Sequence, residues 1–463
     1  MNGIGRRGAA VLALGGGLLV LFSGVALLGD ARARAGTFLA LALAAGVLHL
    51  AATAFAWRLD AGRRLFLAIV SLAVLFRAAL LCAPPTLSDD VWRYVWEGRV
   101  QAAGFDPYRL APDAEALAHL RDAEVHPRIN NPEIPAVYPP GHELVLRGVA
   151  AAGGGALALR LVSAAADVAT GLLVAFALRA AGKPTGRAVA HLFCPLGVIE
   201  FAGSGHGDSL FLLALVASIV LVRSGRKSLA AVALGLSVAL RAVPAILVPV
   251  FFRPLGARLA IAALAATLPF VPYAFGEPRD ASPFRGANEY AKRWRHNDSA
   301  FRGLLAVSEA RLESIESGGP LWMRERVRDH RDDFNPLTGA KSLAAAAFAA
   351  GLAAVVCLRR SLATSVLLAL FLLLLLSTTV HPWYVTWLVP FAALSSRPAP
   401  ALVFSSTVFL AYHVFVGAKK GEPWAENDVV VAIEYAPVYA ALLWEALRAM
   451  FPRREERGAG AGS

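Results

Sequence analysis

Long apolar stretches recur along most of the chain, and they limit the fold more than any other feature. The 463 residues are 57% hydrophobic and only 17% charged, whereas a soluble globular protein carries about 25% charged residues. Stretches of about 17–25 apolar residues are long enough to cross a bilayer as a helix. The sequence therefore predicts an all-α polytopic membrane protein, a single domain over residues 1–463 with about 13–14 transmembrane helices.

Arginine and lysine lie mainly in the short connections between the apolar stretches, as at Arg6-Arg7, Arg63-Arg64 and Arg359-Arg360. Because cytoplasmic loops are enriched in these residues, we expect both termini to be cytoplasmic and the first helix to be retained. Two long loops, at about 84–156 and 276–340, then share the outer face. Interfacial helices are expected in the first loop, and the tail at about 457–463 is expected to be disordered.

The net charge of +12 arises mainly from these arginine and lysine residues in the short connections. Basic residues distributed over short connections suit anionic lipid headgroups, so membrane lipids are predicted partners and nucleic acid is not. Cys82, Cys194 and Cys357 lie far apart and at or within apolar segments, which is not the spacing of a disulfide framework or a zinc site.

Two adjacent carboxylates, Asp89 and Asp90, follow the third apolar stretch directly. Ionisable groups at a membrane boundary are costly and mark functional sites. If Asp90 begins a helix, then Arg93 or Tyr94, and Glu97, share its face. Such a carboxylate can accept a proton from a sugar hydroxyl or bind a divalent cation. The competing interpretation is a solvated helix N-terminus, where acidic residues are favoured.

A second polar group lies at the end of a predicted hairpin. Glu200, His206 and Asp208 are close in sequence there, and Gly203 and Gly205 allow the backbone to turn tightly. These side chains suit a sugar site or help place a metal, although polar residues at a hairpin tip also occur simply because they face water. The metal question stays open at this stage.

Arg241 lies among apolar residues, three positions before Pro244. This pair predicts that the stretch 229–252 is broken into two short helices. A buried guanidinium needs an anion, and a lipid phosphate or an internal salt bridge to Glu200 or Asp167 meets that need equally well. Arg77, inside the third stretch, poses the same question, and snorkelling to the outer interface would also explain it.

The second loop carries a mixture of basic and aromatic residues from Tyr290 to Phe301, including Arg293, Trp294, Arg295 and Asn297. Such a mixture suits phosphate and sugar faces, or a turn that binds lipid headgroups. Further along, His381 is a site candidate, whereas Trp383 is expected to anchor the chain at the interface. The small acidic group Glu422, Glu426 and Asp428 is expected to be solvated.

Five segments in order resemble those of one enzyme family. They are Ser88-Asp-Asp-Val-Trp-Arg-Tyr-Val-Trp-Glu-Gly-Arg-Val100 with Gly104-Phe-Asp-Pro-Tyr108; Tyr138-Pro-Pro; Pro195-Leu-Gly-Val-Ile-Glu-Phe-Ala-Gly-Ser-Gly-His-Gly-Asp208; Trp294-Arg-His-Asn-Asp-Ser-Ala-Phe301; and His381-Pro-Trp-Tyr384. Together they resemble bacterial GT-C glycosyltransferases, in particular the mannosyltransferases that depend on polyprenyl-phosphate-mannose. Each segment is loosely defined alone, and the order of all five makes the resemblance specific.

The resemblance implies a GT-C-like helix bundle in the bacterial inner membrane, with its active site on the outer face. It also implies an inverting transfer of a sugar, mannose by resemblance alone, from a polyprenyl-phosphate donor to a glycan or lipid acceptor. Asp90 or Asp89 occupies the position of the catalytic base. The group usually has lysine in place of Arg241 and commonly asparagine in place of Gly207, which puts a direct role for residue 207 in doubt.

The candidate site residues fall into three sets. Asp90 and Asp89 are the catalytic candidates, and Arg241, Arg293 and Arg295 are the donor-phosphate candidates. The sugar and acceptor candidates are Arg93, Tyr94, Glu97, Tyr138, Glu200, His206, Asp208, Trp294, Asn297 and His381. No cofactor is implied with certainty, and a divalent cation is left open.

Two other functions compete with the transferase. A secondary transporter explains a polar path past Arg241 and Glu200, and a flippase for lipid-linked sugars uses the same motifs. A transporter predicts repeat symmetry and broken helices in both halves, and the sequence shows one obvious break. Neither function explains the two carboxylates at the start of the first loop.

Overall fold

The computed structural model describes residues 5–274, 285–293, 295–330, 334–417 and 425–450, with side chains left out at 290–293. Within these ranges the chain is helical, and its extended pairing is limited to an isolated parallel bridge between His296 and Thr379. The predicted all-α class is confirmed. The tail at 457–463 and Glu422 lie outside the described residues.

Three long apolar helices open the fold: α1 (Arg6–Leu27), α2 (Ala35–Ala56) and α3 (Arg63–Leu81). In α1 the buried positions Val11, Gly15, Leu18, Phe22 and Val25 recur every three or four residues, which places them on one helix face. This face packs against α2 and α3. The remaining faces stay apolar and exposed, as expected for helices surrounded by lipid.

The first long loop contains four short helices. They are α4 (Asp90–Ala102), 3-10 turns at Glu115–Leu120 and His126–Arg128, and α5 (Pro140–Ala151). Their apolar side chains form a small core of their own, centred on Tyr94, Trp96, Leu117 and Leu146. The helix expected to begin at Asp90 is present as α4, and the first loop contains further helices as expected; their place at the membrane interface stays a prediction.

The middle of the chain consists of one long helix followed by broken ones. The elements are α6 (Ala156–Ala180), a 3-10 turn at Thr185–Ala188, α7 (Val189–Leu192), α8 (Pro195–Gly197), a π-helix at Val198–Gly203, α9 (Asp208–Arg223), α10 (Lys227–Leu240), a 3-10 turn at Val243–Leu247, α11 (Val248–Leu255), a 3-10 turn at Gly256–Arg258, α12 (Leu259–Thr267) and a 3-10 turn at Leu268–Tyr273. The break predicted at Arg241 and Pro244 is confirmed, because α10 ends at Leu240 and Arg241 is extended (φ −152°, ψ 133°).

The last part of the described chain returns to longer helices. These are α13 (Arg285–Arg293), α14 (Ala300–Gly318), α15 (Leu321–Asp329), α16 (Pro336–Cys357), α17 (Leu362–Leu376), α18 (Pro382–Val385), a 3-10 turn at Thr386–Leu388, α19 (Val389–Leu394), α20 (Ala399–Thr407), a 3-10 turn at Val408–Phe415 and α21 (Asp428–Met450). Helix α19 packs on α6, α7 and α17, and α21 packs on α20. The two halves of the described chain thus share one core.

Seven described helical segments are long and apolar enough to cross a membrane, and three shorter apolar ones accompany them. The prediction of about 13–14 spans exceeds this number. The apolar runs at 187–203 and 383–396 fold into short α, π and 3-10 pieces instead of single long helices. Prolines at 195, 382 and 390 stand at the first turns of these pieces, where the missing N–H group is tolerated.

A buried ion pair ties the first half of the bundle together. The Arg77 guanidinium donates to Asp167 Oδ2 (2.5 Å and 2.9 Å) and to the Leu192 carbonyl, while His191 Nε2 lies 3.0 Å from Asp167 Oδ1. The snorkelling expected for Arg77 is wrong, since its side chain is only 2% exposed. A carboxylate on α6 faces it inside the bundle, so the charge is compensated without reaching the interface.

Candidate active site

Asp90 begins α4 and is held by three side chains from separate parts of the chain. Asn130 Nδ2 donates to Oδ1 (2.9 Å), and the Tyr138 hydroxyl donates to Oδ2 (3.1 Å). The Ser88 hydroxyl accepts a hydrogen bond from the Asp90 N–H and so fixes the start of the helix. Burial raises the pKa of Asp90 above its ordinary value, and the bonds from Asn130 and Tyr138 partly offset this effect.

Asp89 has a different environment although it is the preceding residue. It forms a two-pronged salt bridge with Arg32, from the connection between α1 and α2, at 3.0 and 3.2 Å. Its side chain is 36% exposed, compared with 18% for Asp90. Arg32 engages both carboxylate oxygens of Asp89, whereas neutral side chains hold Asp90, so the geometry distinguishes the two candidates.

Asp90 faces a cavity of about 300 Å³. It is lined by polar side chains of the first loop and by aromatic and histidine side chains from the second half of the chain: Arg32, Asp89, Arg93, Asn130, Tyr138, His296, His381, Trp383, Tyr384, Tyr412 and Phe415. We refer to it as the Asp90 cavity. Its mixture of hydrogen-bonding groups and flat apolar rings is the kind of lining that binds a sugar ring.

Arg241 lies on the other side of Tyr138. Its guanidinium carbon is 5.0 Å from the centre of the Tyr138 ring, 5.4 Å from Tyr384 and 5.9 Å from Trp387. Arg241 Nε is 3.6 Å from Asp208 Oδ1, which also accepts a hydrogen bond from Trp387 Nε1 (2.8 Å). The salt bridges considered with Glu200 and Asp167 are therefore wrong, because Asp208 stands nearer and Asp167 is taken by Arg77.

Arg241 faces a second cavity, of about 310 Å³, which Tyr138 and Tyr384 also line. We refer to it as the Arg241 cavity. Beyond it lies a third cavity, of about 460 Å³, lined mostly by apolar side chains such as Val238, Ala266 and Phe270. Tyr138 borders all three. Arg241 thus lies between the polar Asp90 cavity and this third, apolar cavity, which we refer to as the apolar groove.

The polar residues of the hairpin lie directly behind Asp90. His206 Nδ1 is 3.6 Å from Asp90 Oδ2, and His206 Nε2 is 3.5 Å from Glu200 Oε2. The Tyr412 hydroxyl donates to Glu200 Oε1 (2.7 Å). The predicted tight turn is present at Gly205, whose φ is +86°. Glu200 and His206 are fully buried and, with Asp208, belong to the site's interior.

Three of the predicted sugar-binding residues on α4 support the loop that surrounds Asp90. Arg93 lines the Asp90 cavity but also donates to the carbonyls of Asn131 and Ile134, and to Glu97 Oε1 (2.6 Å). Glu97 is 2% exposed. The Tyr94 hydroxyl donates to that of Tyr138 (2.9 Å). Their direct contact with a sugar stays a prediction.

The described part of the second loop reaches the site through His296. This residue and His381 line the Asp90 cavity, with ring centres 5.3 Å apart. Asn297 Nδ2 donates to Glu434 Oε1 (2.8 Å), and Arg295 Nε bonds Asp298. The predicted donor and sugar roles of Arg295 and Asn297 stay untested. Trp294 and the side chain of Arg293 lie outside the described residues.

Glu426 corrects another expectation. Instead of being fully solvated, its carboxylate is 23% exposed and accepts from His296 Nδ1 and from the Asn297 N–H, both at 2.5 Å. Burial alone would raise its pKa, but these hydrogen bonds and the nearby Arg302 lower it to about 2. Glu426 thus fastens the second loop to the start of α21.

Several site residues escaped the sequence analysis. Arg32, Asn130, Tyr384, Trp387 and Tyr412 reach the site from distant segments, and no local pattern marks them. Tyr384 was within a quoted motif but was given no role. Trp383, expected as an interface anchor, instead stacks between His206 (3.8 Å) and His381 (4.4 Å).

The sequence left open whether the site binds a divalent cation, and the described side chains do not support a metal site. Among the residues that the structure describes, no three histidine, cysteine, aspartate or glutamate side chains are arranged to hold a metal ion. Asp89 and Asp90 line the Asp90 cavity, Glu200 and Asp208 lie behind it, and each of these acids already has a hydrogen-bond donor.

Comparison with known families identifies the class of this site. A family model described as alpha-(1->6)-mannopyranosyltransferase, N-terminal domain, matches residues 4–255, which is more than half of the chain. The chain belongs to this family. It is therefore a mannosyltransferase of the GT-C type, as its motifs suggested. No curated protein matches the chain.

The matched half of this mannosyltransferase contains Asp90, His206, Asp208 and Arg241. The remaining part supplies His381, Tyr384 and Tyr412, which complete the Asp90 cavity. Both halves of the mannosyltransferase are thus needed to enclose the site.

Proposed function

We propose that this mannosyltransferase transfers mannose from a polyprenyl-phosphate donor to a glycan acceptor, with inversion at the anomeric carbon and with Asp90 as general base. The observation that carries the proposal is the position of Tyr138. Its hydroxyl bonds Asp90 and its ring faces Arg241, so a base and a cation lie on two sides of one side chain. A reacting sugar placed beside Tyr138 would have a base on one side and a phosphate site on the other.

The donor phosphate is assigned to Arg241. Its guanidinium carries five N–H donors, and the contact with Asp208 occupies one edge at 3.6 Å. The side chain is 13% exposed, toward the Arg241 cavity. The apolar groove beyond that cavity suits the isoprenoid chain, which gains about 25 cal/mol for each Å² of apolar surface removed from water.

The acceptor is assigned to the Asp90 cavity. The acceptor hydroxyl gives its proton to an Asp90 carboxylate oxygen, and its oxygen bonds to the anomeric carbon of the donor sugar. The bond between that carbon and the donor phosphate oxygen breaks, and the electron pair stays on the phosphate. Arg241 stabilises the extra negative charge of this leaving group. Attack opposite the departing phosphate inverts the anomeric centre.

The proposed membrane placement is supported by the distribution of basic residues. Arg58, Arg179, Arg223 and Arg359 lie at helix ends remote in sequence from the loop that carries Asp90. If these ends are cytoplasmic, the site faces the outer side of a bacterial inner membrane and both termini lie inside. A lipid-linked donor is available on that side, whereas nucleotide sugars are made in the cytoplasm.

Purified protein in liposomes tests the donor. We expect transfer of labelled mannose from polyprenyl-phosphate-mannose to an oligomannoside, and no transfer from a nucleotide-linked mannose. The Arg241→Gln variant should lose transfer while an unrelated membrane protein in the same liposomes shows none. Transfer from the nucleotide sugar alone would contradict the lipid donor.

A further inference from the structure

Three buried groups stand in a row behind the base. Asp90 Oδ2 and Glu200 Oε2 lie 3.6 and 3.5 Å from the two ring nitrogens of His206. Within the described part of the chain, neither ring nitrogen has a hydrogen-bond partner at shorter range, and Glu200 Oε2 has none either. Buried polar atoms of this kind need an explanation, because each unpaired group costs about 1–3 kcal/mol.

The surrounding residues hold His206 in this orientation. Its ring is fully buried and stacks on Trp383, which stacks in turn on His381. Glu200 is fixed from its far side by the Tyr412 hydroxyl. An imidazole fixed between two carboxylates can take a proton at one nitrogen and release another from the opposite nitrogen.

We infer that His206 passes the proton captured by Asp90 to Glu200, which stores it until the products leave. The inference rests on the proposed function, since it concerns the proton that transfer to an acceptor hydroxyl releases. It assigns His206 and Glu200 a role that a sugar contact would not give them.

The step balances as follows. The relay starts with Asp90 and Glu200 ionised and with the His206 proton on Nε2. Because burial raises the pKa of Glu200 to about 8, the relay runs near and above that pH. After Asp90 takes the acceptor proton, that proton moves from Oδ2 to His206 Nδ1 while the Nε2 proton moves to Glu200 Oε2. Asp90 is again ionised, His206 is neutral and Glu200 is a carboxylic acid. Reversal through Asp90, which is 18% exposed to the cavity, releases the proton after the products have gone.

Other charges around the three groups affect their titration. The titratable or charged groups that face them are Tyr138, Tyr94, Arg93, Arg241, Asp208, His142, His381, Tyr412 and Arg32. Of the other nearby carboxylates, Asp89 is paired with Arg32, and Asp208 is engaged by Arg241 and Trp387. Glu200 is therefore the acid that His206 connects to Asp90.

The test compares Glu200→Gln, His206→Gln and the double variant in the polyprenyl-phosphate-mannose assay. The Glu200→Gln variant keeps an acceptor for the Tyr412 hydroxyl but cannot be ionised, so it can neither store the proton nor contribute to the acid limb. We expect the acid limb of kcat/KM for Glu200→Gln to move down by about one pH unit. We expect kcat to fall about tenfold or more in each single variant, and no further in the double variant, because the two residues act as one unit.

Glu434→Gln is the matched control, since Glu434 is also fully buried and is held by Asn297 instead of facing His206. Its acid limb should match that of the wild type. If Glu200→Gln keeps the wild-type limb, or if the two kcat losses multiply in the double variant, the relay is wrong. These outcomes require an active wild type. A wild type inactive with every lipid donor would instead overturn the proposed function.

Discussion

At the scale of single residues, the structure separates two carboxylates that the sequence could not. Asp89 and Asp90 are adjacent, so any motif contains both, and their difference arises from partners far away in the chain. Arg32 forms a salt bridge with Asp89, whereas Asn130 and Tyr138 donate hydrogen bonds to Asp90. The sequence predicted the pair because two acids beside a membrane are unusual. It could not predict Asn130, which lies 40 residues from Asp90 in an irregular segment.

The pH dependence of transfer follows from the environment of Asp90. A general base must be ionised, so activity is lost as the pH falls through its pKa. Because burial raises the pKa of Asp90, we expect the acid limb of kcat/KM to lie above the value of about 3.9 typical of a free aspartate. The Asp89→Asn variant is the control and should also keep an acid limb above the free-aspartate value, because Asp90 stays buried and held by Asn130 and Tyr138. A limb at or below the ordinary aspartate value would contradict this assignment.

Substitutions at Arg241 separate charge from geometry. Arg241→Gln removes the cation that faces the leaving phosphate, so kcat/KM should fall by about 10²–10³. Arg241→Lys keeps the charge but loses the planar guanidinium, and a loss of about tenfold is expected. Steady-state kinetics with varied donor concentration measure both. Equal activity of the glutamine and lysine variants would exclude a role for charge at this position.

At the scale of elements, the apolar pattern predicted the helices of the first loop and the break at Arg241. The apolar pattern did not predict the short helices. Residues 187–203 read as one span, yet they form α7, α8 and a π-helix. The π-helix carries Glu200, which lies 3.5 Å from His206, and His206 lies 3.6 Å from Asp90. Hydrophobic periodicity indicates which face of a single helix is buried, so it does not predict contacts between residues that are far apart in the chain.

Gly207 shows how an element depends on its neighbour. The enzymes that the sequence resembles commonly have asparagine at this position, so the glycine put a direct role for residue 207 in doubt. In the structure a Cβ at residue 207 would fall on the ring of His142 from α5. The glycine therefore allows α5 to pack against the hairpin.

We expect Gly207→Ala to destabilise the protein by about 1–3 kcal/mol because of this overlap. Gly148→Ala is the control. Residue 148 lies in α5, a Cβ there meets nothing within 4 Å, and its side is exposed, so alanine should be neutral or stabilise by up to about 1 kcal/mol. Thermal unfolding in detergent compares the two. Equal melting temperatures would contradict the packing described for His142.

At the scale of the whole molecule, composition was sufficient to predict a polytopic helical protein, and the family match places it among mannosyltransferases. The predicted 13–14 spans exceed the seven long apolar segments found among the described residues, since apolar runs also form short helices buried inside the bundle. The sidedness depends on the distribution of arginine and lysine, which is a statistical rule about insertion and not a property of the folded contacts.

Cysteine labelling tests the sidedness. In a variant without native cysteines, a cysteine at Glu124 in the first loop should react with a membrane-impermeant maleimide in spheroplasts. A cysteine at Asp60, between α2 and α3, should react only after the membrane is permeabilised. Both positions are exposed, so access to the reagent is set by the membrane. The reverse pattern would place the active site on the cytoplasmic face.

The most direct measurement is the rate of mannose transfer by Asp90→Asn and Asp89→Asn in liposomes that contain polyprenyl-phosphate-mannose, with donor binding measured on the same samples. Asparagine cannot accept the acceptor proton, so we predict that Asp90→Asn loses at least about 10²-fold in kcat and binds the donor as the wild type does. Asp89→Asn should keep transfer within a few-fold of the wild type. Wild-type kcat in Asp90→Asn, or a loss confined to Asp89→Asn, would contradict the assignment of Asp90 as the base.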